Sequence, residues 1–317
     1  MKGEMILKLY APKYYESFKC IADKCTHSCC IGWEIDIDKA TFYKYSMLSD
    51  GYGINIRNSI DDEDTPHFRL CEDERCPHLS KNGLCSIITE FSEDFLCDIC
   101  REHPRFYNDT AYGKEVGIGM ACEEACRIIL TSDEYNKFTE VGEEDGEPEQ
   151  LEFDAIAERE RIYALLSDRS IPYTERLTTL YGIYDTTPDL LSGREWHDVI
   201  DSLEYLDEEH RALFLNYSPD LSTPYRYALY LERTLAYFIF RHCSDAFCKS
   251  DFTAKISFCF FCERLLASLL KSENVNELSD IIRLAVTVSE EIEYSEENTE
   301  ELIFQIETKR SYIKYNL

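Results

Sequence analysis

Four cysteines occur within eleven residues in the segment "CIADKCTHSCCIGW": Cys20, Cys25, Cys29 and Cys30. Thiolates bind zinc and iron–sulfur clusters, whereas protonated thiols form disulfides or pack as small apolar groups. Adjacent Cα atoms lie about 3.8 Å apart, and a disulfide prefers at least roughly 4.4 Å, so Cys29 and Cys30 should not pair with each other. Because neighbouring side chains on an extended backbone point to opposite sides, these two cysteines can serve two sites, or one can bind while the other packs.

Cysteines remain frequent as far as residue 126, and residues 1–126 contain eleven of the fifteen in the chain. After the first four, the others in this part are Cys71, Cys76, Cys85, Cys97, Cys100, Cys122 and Cys126. Structural zinc sites usually combine two Cys-x-x-Cys pairs, and this module contains one such pair. A short cysteine run completed by distant cysteines can also hold an iron–sulfur cluster. The spacing predicts a metal module without deciding between iron and zinc, and three nearby histidines are weaker ligand candidates: His27, His78 and His103.

Disulfides explain these cysteines poorly. The N-terminal residues lack the apolar core of a secretory signal, and no stretch approaches eighteen uninterrupted apolar residues. We therefore expect a cytoplasmic protein with no membrane partner, in a compartment whose glutathione pool opposes disulfides. The odd number of cysteines also argues against complete pairing.

Four further cysteines lie near the C-terminus: Cys243, Cys248, Cys259 and Cys262. Strongly apolar runs surround them, which predicts packing in a helical core. The alternative is a second metal site with His242 as an additional ligand.

The charge excludes one class of partner. The chain has 62 acidic and 33 basic residues, a formal net charge of −29. Such a surface repels phosphate backbones, so nucleic acid is not expected as a partner. It favours encounter with a lysine-rich protein, although an acidic charge also occurs in soluble proteins for no functional reason. Only "GIGM" at 117–120 approaches a nucleotide-binding loop, and it lacks the glycine spacing of a Rossmann fold.

The patterning predicts a mainly α fold in two parts. Residues 1–138 are expected to form a cysteine-rich, partly irregular metal module, in which Asp38 caps a helix. Residues 139–152 are acidic and contain glycine and proline, which is typical of a linker. Residues 153–317 show apolar spacings of three and four, which predict an all-helical domain on which the module packs.

The cysteine motifs resemble a known family. The segments "FKCIADKCTHSCCIGWEIDIDKATFYKY", "CPHLSKNGLCSI", "CREHPR" and "ACEEACRIIL" are similar to the flagellin lysine N-methylases and, more widely, to cysteine-rich zinc- or iron-chelating proteins. The C-terminal "VTVSEEIEYSEENTEELI" is similar to the closing helical motif of the methylases. Residues 140–225 contribute almost nothing to this resemblance.

The resemblance implies a cytoplasmic enzyme that moves a methyl group from S-adenosylmethionine to flagellin lysines and holds a [4Fe–4S] cluster. The cysteines that match the family motifs, and are implied as metal ligands, are Cys20, Cys25, Cys29, Cys30, Cys76, Cys85, Cys100 and Cys122. Cys71, Cys97 and Cys126 look like extras. Because one cluster takes four cysteines, either there are two sites or half of the matching cysteines support the ligands. The radical S-adenosylmethionine spacing Cys-x3-Cys-x2-Cys is missing, so a radical mechanism is not supported.

The lysine ammonium group has a pKa of about 10.4. A lysine methylase must therefore remove a proton from it before the amine can attack a sulfonium methyl. Candidate acceptors are Glu34, Asp36 and Asp38 after the paired cysteines, and Glu290, Glu291 and Glu293 near the C-terminus. Both sets also have a structural interpretation without a catalytic role. The first set can be the solvent-exposed face of a strand, and the second can be a solvated helix surface.

Three residues beside the cysteines are candidates for binding the methyl donor. Arg101 and Arg105 can hold its carboxylate or balance local acidic charge, and Trp33 can offer a ring face to the sulfonium. Our main hypothesis is a lysine methylase acting on flagellin or another lysine-bearing protein. The alternative is a noncatalytic zinc- or iron-binding protein, or an adaptor stabilised by metal.

Overall fold

The computed structural model describes residues 6–49, 51–146, 152–187, 190–218, 220, 222 and 224–316. Helices predominate, and their bounds are α1 Lys39–Ser46, α2 Gly51–Asn58, α3 Ser86–Glu90, α4 Asp98–Glu102, α5 Glu123–Thr131, α6 Ala155–Leu166, α7 Tyr173–Tyr184, α8 Gly193–Ser202, α9 Glu208–Phe214, α10 Ala228–Cys243, α11 Lys249–Ser272, α12 Leu278–Val288 and α13 Glu296–Asn316. The strands are β1 Ile6–Pro12, β2 Ile60–Asp61, β3 His67–Phe68, β4 Arg105–Thr110, β5 Gly113–Ile118 and β6 Phe138–Asp145. The mainly α fold with a helical C-terminal region is therefore confirmed.

Contacts divide the chain into two compact units. The cysteine unit comprises Lys19–Arg105 and Cys122–Glu124. The helical unit comprises Met1–Phe18, Phe106–Ala121 and Ala125–Leu317. This division differs from a module over 1–138, because three segments of that range, 1–18, 106–121 and 125–138, belong to the helical unit.

A four-stranded sheet in the order β4-β5-β1-β6 was not predicted. Strand β1 pairs in parallel with β5 and antiparallel with β6. Gly113 adopts a φ of +141°, and a Cβ there would lie 2.5 Å from the carbonyl oxygen of Lys8, so the close approach of β5 to β1 requires glycine.

Part of the predicted acidic linker is the edge strand β6. An edge strand tolerates charge because one side faces water. Lys8 Nζ lies 2.7 Å from Glu140 Oε2, and Lys114 Nζ lies 2.6 Å from Glu144 Oε1, so lysines of β1 and β5 offset the acidic residues of β6. Residues 147–151 of the predicted linker lie outside the described residues.

Helices α10 and α11 form the centre of the helical core and are buried along most of their length. Cys243, Cys259 and Cys262 are 0% exposed in this core, which confirms the packing prediction for them. The prediction was wrong for Cys248, which is only half-buried. His242, the additional ligand in the alternative of a second metal site, makes a hydrogen bond with Glu293 through its Nε2. Across the ranges that the structure covers, no helix combines the length and apolarity that crossing a bilayer would require.

Candidate functional site

The extended segment 31–38 builds one wall of the cysteine unit. Ile35 and Ile37 are buried and Glu34 and Asp36 are exposed, which is the alternation predicted from the sequence. Asp38 caps α1, as predicted, by accepting from Thr41 N at 2.9 Å. Its other carboxylate oxygen accepts from Asp98 N at 3.0 Å, so this candidate proton acceptor already binds two backbone amides.

Five cysteines share one apolar core and are called here the core thiol group: Cys30, Cys76, Cys85, Cys97 and Cys100. Cys97 is 0% exposed and Cys76 is 6% exposed. Cys76 N donates to Cys30 O at 2.8 Å, which joins the opening cysteine run to the later cysteines. Burial raises the pKa of Cys76 to about 12, and the neighbouring thiolates of Cys30 and Cys85 contribute.

The remaining motif cysteines form an outer thiol group: Cys20, Cys25, Cys29 and Cys122. Burial and the hydrogen bond to Glu123 raise the pKa of Cys25, to about 12, and charge at Cys122 adds to the effect. The pKa of Cys29 is raised first by its hydrogen bond with Cys30, and further by burial and by Cys122 and Cys20. The adjacent Cys29 and Cys30 are hydrogen-bonded to each other and lie where the two groups of thiols meet.

Glu123 anchors the loop that carries Cys25. Its Oε2 accepts from Thr26 N at 2.6 Å, Thr26 Oγ1 at 2.9 Å and His27 N at 3.1 Å. The Cys25 thiol lies 3.5 Å from the same oxygen. This carboxylate holds residue 122 beside the opening cysteines although about a hundred residues separate them in the chain.

Soft thiolates are the right chemistry for zinc or an iron–sulfur cluster. Among the residues that the structure describes, no set of three or more His, Cys, Asp or Glu side chains is arranged to hold a metal ion. The thiols are neighbours whose sulfur atoms do not converge on one centre. Thiol-to-thiol hydrogen bonds join Cys29 to Cys30 and Cys97 to Cys100, and metal binding would have to replace them.

The extra cysteines divide by position. Cys97 belongs to the core thiol group, a position that motif matching missed and that its Cys-x-x-Cys spacing to Cys100 signals. Cys71 is exposed. Cys126 is buried in the helical unit, where its thiol lies 3.8 Å from Ile282 O.

His78 has a structural role in the cysteine unit. Its Nδ1 lies 2.9 Å from Tyr52 Oη, and its Nε2 lies 2.8 Å from Ser59 Oγ, so both ring nitrogens are occupied. His103 differs, because its buried Nε2 has no hydrogen-bond partner. Burial lowers the pKa of each of these histidines to about 4, which keeps both rings neutral.

The three candidate donor-binding residues lie in the cysteine unit. Arg101 is exposed and pairs with Asp98 and Glu102. Arg105 Nη1 lies 3.4 Å from Arg101 O, and Trp33 is half-buried. Their donor-binding role stays a prediction.

A groove of about 300 Å³ lies on the cysteine unit. Its lining includes Phe42 and Ile60, which also pack against the core that holds the thiols. Arg57, Ser46 and Asp62 complete the lining. The groove offers apolar and charged walls next to the cysteine core.

The glutamates near the C-terminus are not a solvated helix face. Glu290, Glu291 and Glu293 lie on a π-helical turn, Ser289–Glu293, and are 8%, 1% and 6% exposed. π-Helical turns are rare and occur often at functional sites. A pattern that looks like a wet surface in the sequence is therefore the buried polar centre of the helical unit.

Glu293 is the hub of this polar centre. Tyr237 Oη donates to Glu293 Oε1 at 2.6 Å, and His242 Nε2 lies 3.2 Å from Oε2. Ser289 Oγ also donates to Oε1, and Arg241 Nε lies 3.4 Å from Oε2. Burial opposes ionisation, but Arg241 and His242 outweigh it and lower the pKa of Glu293. An ionised carboxylate with this many donors is a poor proton acceptor.

Glu291 joins α9 to the C-terminal helices. Its Oε1 lies 2.6 Å from His210 Nδ1, and its Oε2 accepts from Leu206 N at 2.9 Å. The hydrogen bond to Glu291 raises the pKa of His210, burial opposes the shift, and Asp207 and Glu290 add to it. His210 was not a candidate from sequence, because nothing near position 210 signals its distant partner.

We expect His210→Gln to remove a pH-dependent part of the stability. Because the folded-state pKa is raised above the unfolded value of about 6.5, the protonated ring stabilises the fold fully below that pH. This contribution is lost as the pH rises through the folded pKa. Urea unfolding between about pH 6 and pH 9 should show the wild type losing on the order of 1 kcal/mol more than the variant. Parallel curves for the two proteins would contradict the assignment.

Gly119 allows Tyr294 to pack against the end of β5. A Cβ at Gly119 would collide with the Tyr294 hydroxyl, and one at Gly117 would lie 2.5 Å from a ring carbon of Phe240. The "GIGM" glycines therefore serve close packing. Met120 N, next in the chain, donates to Tyr237 Oη at 3.0 Å and extends the polar centre.

We expect Gly119→Ala to lower the free energy of unfolding by about 1–3 kcal/mol, because the methyl group displaces Tyr294 from its packed position. The matched control is Gly182→Ala in α7, where an added Cβ meets nothing within 4 Å. That exposed helical change should stabilise by about 0.5–1 kcal/mol. Equal effects of the two substitutions in denaturant unfolding would rule out the close-packing role.

Comparison with known proteins gives distant relatives. The chain is 28% identical over 131 residues to the flagellar biosynthetic protein FliU of Salmonella muenchen. The aligned region covers 38% of this chain and 75% of that protein. It is 27% identical over 135 residues to the lysine-N-methylases of Salmonella typhimurium and Salmonella choleraesuis, covering 38% of this chain and 31% of each of those proteins. No protein-family model matches, and no solved structure matches significantly. These similarities support a partial relation to lysine methylases and to a flagellar protein.

Proposed function

We propose that this protein is a cytoplasmic protein-lysine N-methyltransferase that uses S-adenosylmethionine. The observation that carries the proposal is the similarity to proteins named lysine-N-methylase. The alignment spans 31% of their length, so the activity of the whole relatives is extended here to this chain as a hypothesis. The other relative, the flagellar biosynthetic protein FliU, is named for flagellar biosynthesis, and on that basis we propose flagellin or another lysine-bearing protein as the acceptor.

Charge supports this kind of acceptor. The net charge of −29 attracts a lysine-bearing protein and speeds encounter at low ionic strength. Salt should therefore slow methylation by weakening capture of the acceptor protein.

We also propose that the cysteine unit binds a metal centre, a [4Fe–4S] cluster with zinc as the alternative. The core thiol group supplies enough cysteines for one cluster, and its apolar walls would keep water away from it. A cluster would supply redox or Lewis-acid chemistry there. The outer thiol group would provide a second site or support the first.

The test is methyl transfer in vitro. The protein, purified without oxygen, is incubated with S-adenosylmethionine and a purified flagellin, and peptides are mapped for N-methyllysine while S-adenosylhomocysteine is measured. We expect the two products in equal amounts. A flagellin with chemically acetylated lysines is the matched acceptor and should give neither product. Absence of both with every lysine-bearing acceptor would reject the methylase proposal.

The second candidate is a noncatalytic metal-binding protein or adaptor. The observation that favours it is the grouping of nine thiols in the cysteine unit, together with the engagement of two candidate proton acceptors, Glu291 and Glu293, in hydrogen bonds. This candidate predicts stoichiometric metal and no binding of S-adenosylmethionine.

A further inference from the structure

Arg241 is a buried guanidinium with two nitrogens that make no hydrogen bond. Its Nε and Nη1 atoms are buried and make no hydrogen bond, and its nearest negative charge is Glu293, at 3.4 Å from Nε. Leaving charged donors buried without acceptors is costly, so such groups are normally paired. The arrangement leaves donor capacity for an acceptor that is not part of the described chain.

Two other buried arginines of the helical unit, Arg159 and Arg233, use both terminal nitrogens. Arg159 places two of them 2.6 and 2.7 Å from Glu115, and Arg233 Nη1 donates to Leu130 O at 2.7 Å. In the described part of the chain, the other arginines with a buried unpaired nitrogen lack a hydrogen bond only at Nε, whereas Arg241 also lacks one at the terminal Nη1. Its geometry is therefore not the general pattern of this core.

Two aromatic rings fix the position of the guanidinium. Its central carbon lies 4.4 Å from the ring centre of Phe106 and 4.9 Å from that of Tyr294. These ring faces hold the planar group by cation–π contacts. The Arg241 side chain is 17% exposed, whereas the unpaired Nε and Nη1 are themselves buried, so a ligand carboxylate has to enter between the side chains that cover them.

We propose that Arg241 binds the carboxylate of a small amino-acid ligand. A guanidinium edge matches a carboxylate by two parallel hydrogen bonds. Glu293 already balances much of the arginine's charge, which favours a monoanion over a doubly charged phosphate. Glu293 also accepts from Tyr237, Ser289 and His242, and its Oε2, 3.4 Å from Arg241 Nε, leaves Nη1 of Arg241 without a hydrogen bond.

We identify the ligand as S-adenosylmethionine, bound through the carboxylate of its methionine part. This identification rests on the proposed function. This assignment moves the carboxylate-binding role from Arg101 to Arg241. Arg101 is exposed and already pairs with two acidic side chains, so it has less to gain from a ligand.

The experiment compares S-adenosylmethionine with decarboxylated S-adenosylmethionine by isothermal titration calorimetry. The wild type should bind the carboxylated compound about 10–100-fold more tightly, as expected for a charged hydrogen-bonded pair. In Arg241→Lys and Arg241→Met this preference should shrink to about threefold or less. Arg161→Met, an exposed arginine of α6 paired with Glu158, is the control and should keep the wild-type preference.

Each outcome assigns the failure. Equal binding of the two compounds by the wild type, or an unchanged preference in Arg241→Lys, overturns the Arg241 site and leaves the methylase proposal standing. If the wild type binds neither compound, the methylase proposal fails, and L-methionine and methioninamide are titrated instead. Methionine binding that Arg241→Lys weakens then supports the carboxylate site, and no binding of methionine overturns it. Arg241→Lys keeps a positive charge beside Glu293, and far-ultraviolet circular dichroism checks that each variant folds.

Discussion

Replacing Arg159 with methionine is expected to lower the free energy of unfolding by about 3–5 kcal/mol, because the change leaves a buried carboxylate without its partner. Arg159 on α6 donates to both oxygens of Glu115 on β5, at 2.6 and 2.7 Å, and both side chains are almost fully buried. Its Nη1 also lies 2.7 Å from Ser244 Oγ at the end of α10. One side chain thus ties the sheet to two helices.

The matched control is Arg161→Met on the same helix. Arg161 is 76% exposed, and its ion pair with Glu158 is solvated, so its loss should change stability by less than about 1 kcal/mol. A double variant, Arg159→Met with Glu115→Gln, should recover part of the loss because it removes the unpaired charge. Guanidinium chloride unfolding measures all three. Similar losses for Arg159→Met and Arg161→Met would refute the importance of the buried pair.

Replacing Cys76 with serine is expected to reduce bound metal to less than about a tenth of the wild-type level. Cys76 is 6% exposed within the core thiol group, next to Cys30 and Cys85. A hydroxyl does not replace a thiolate as a soft-metal ligand, and loss of metal should also destabilise the unit that it holds together. Metal analysis and thermal unfolding of the variant measure the two effects.

Cys71→Ser is the control for Cys76→Ser. Cys71 is exposed and lies outside both thiol groups, so its substitution should leave the metal content unchanged. Substituting Cys25 tests the outer group separately. A partial loss of metal in Cys25→Ser would indicate two sites, whereas a complete loss would indicate one shared site. Full metal retention in Cys76→Ser would remove the core thiol group from the assignment.

The sequence predicted local features of the fold well. The alternation at 34–37 and the cap at Asp38 depend on neighbouring residues, and both are present in the structure. The sheet was missed because β1 pairs with strands about a hundred residues away, and an acidic edge strand such as β6 does not show the apolar alternation of a buried strand.

The buried polar centre could not be predicted because burial depends on distant partners. Glu293 is acceptable in a core only with Tyr237, Arg241 and His242 around it, and these lie about fifty residues earlier. Viewed alone, "SEEIEYSEEN" has the composition of a solvated helix. From the sequence, "GIGM" was only an incomplete match to a nucleotide-binding loop, because the packing of Gly119 against Tyr294 depends on the tertiary fold.

The cysteine positions were predicted to form one metal module, and the structure separates them into two groups at Cys29 and Cys30. Two sites were an open alternative from the sequence, but the opposite orientation expected for adjacent side chains is not found, since the two thiols are hydrogen-bonded to each other. Cys97 joined the core group because burial, rather than motif matching, determines membership.

The proposed metal centre is tested most directly by metal analysis. Iron, acid-labile sulfide and zinc are measured in the wild-type protein purified without oxygen, and its visible absorption spectrum is recorded. We predict roughly four irons and four sulfides per chain, as held by one cubane cluster. Stoichiometric zinc without sulfide would contradict the cluster and favour the adaptor, and a protein that retains neither metal would contradict the metal centre altogether.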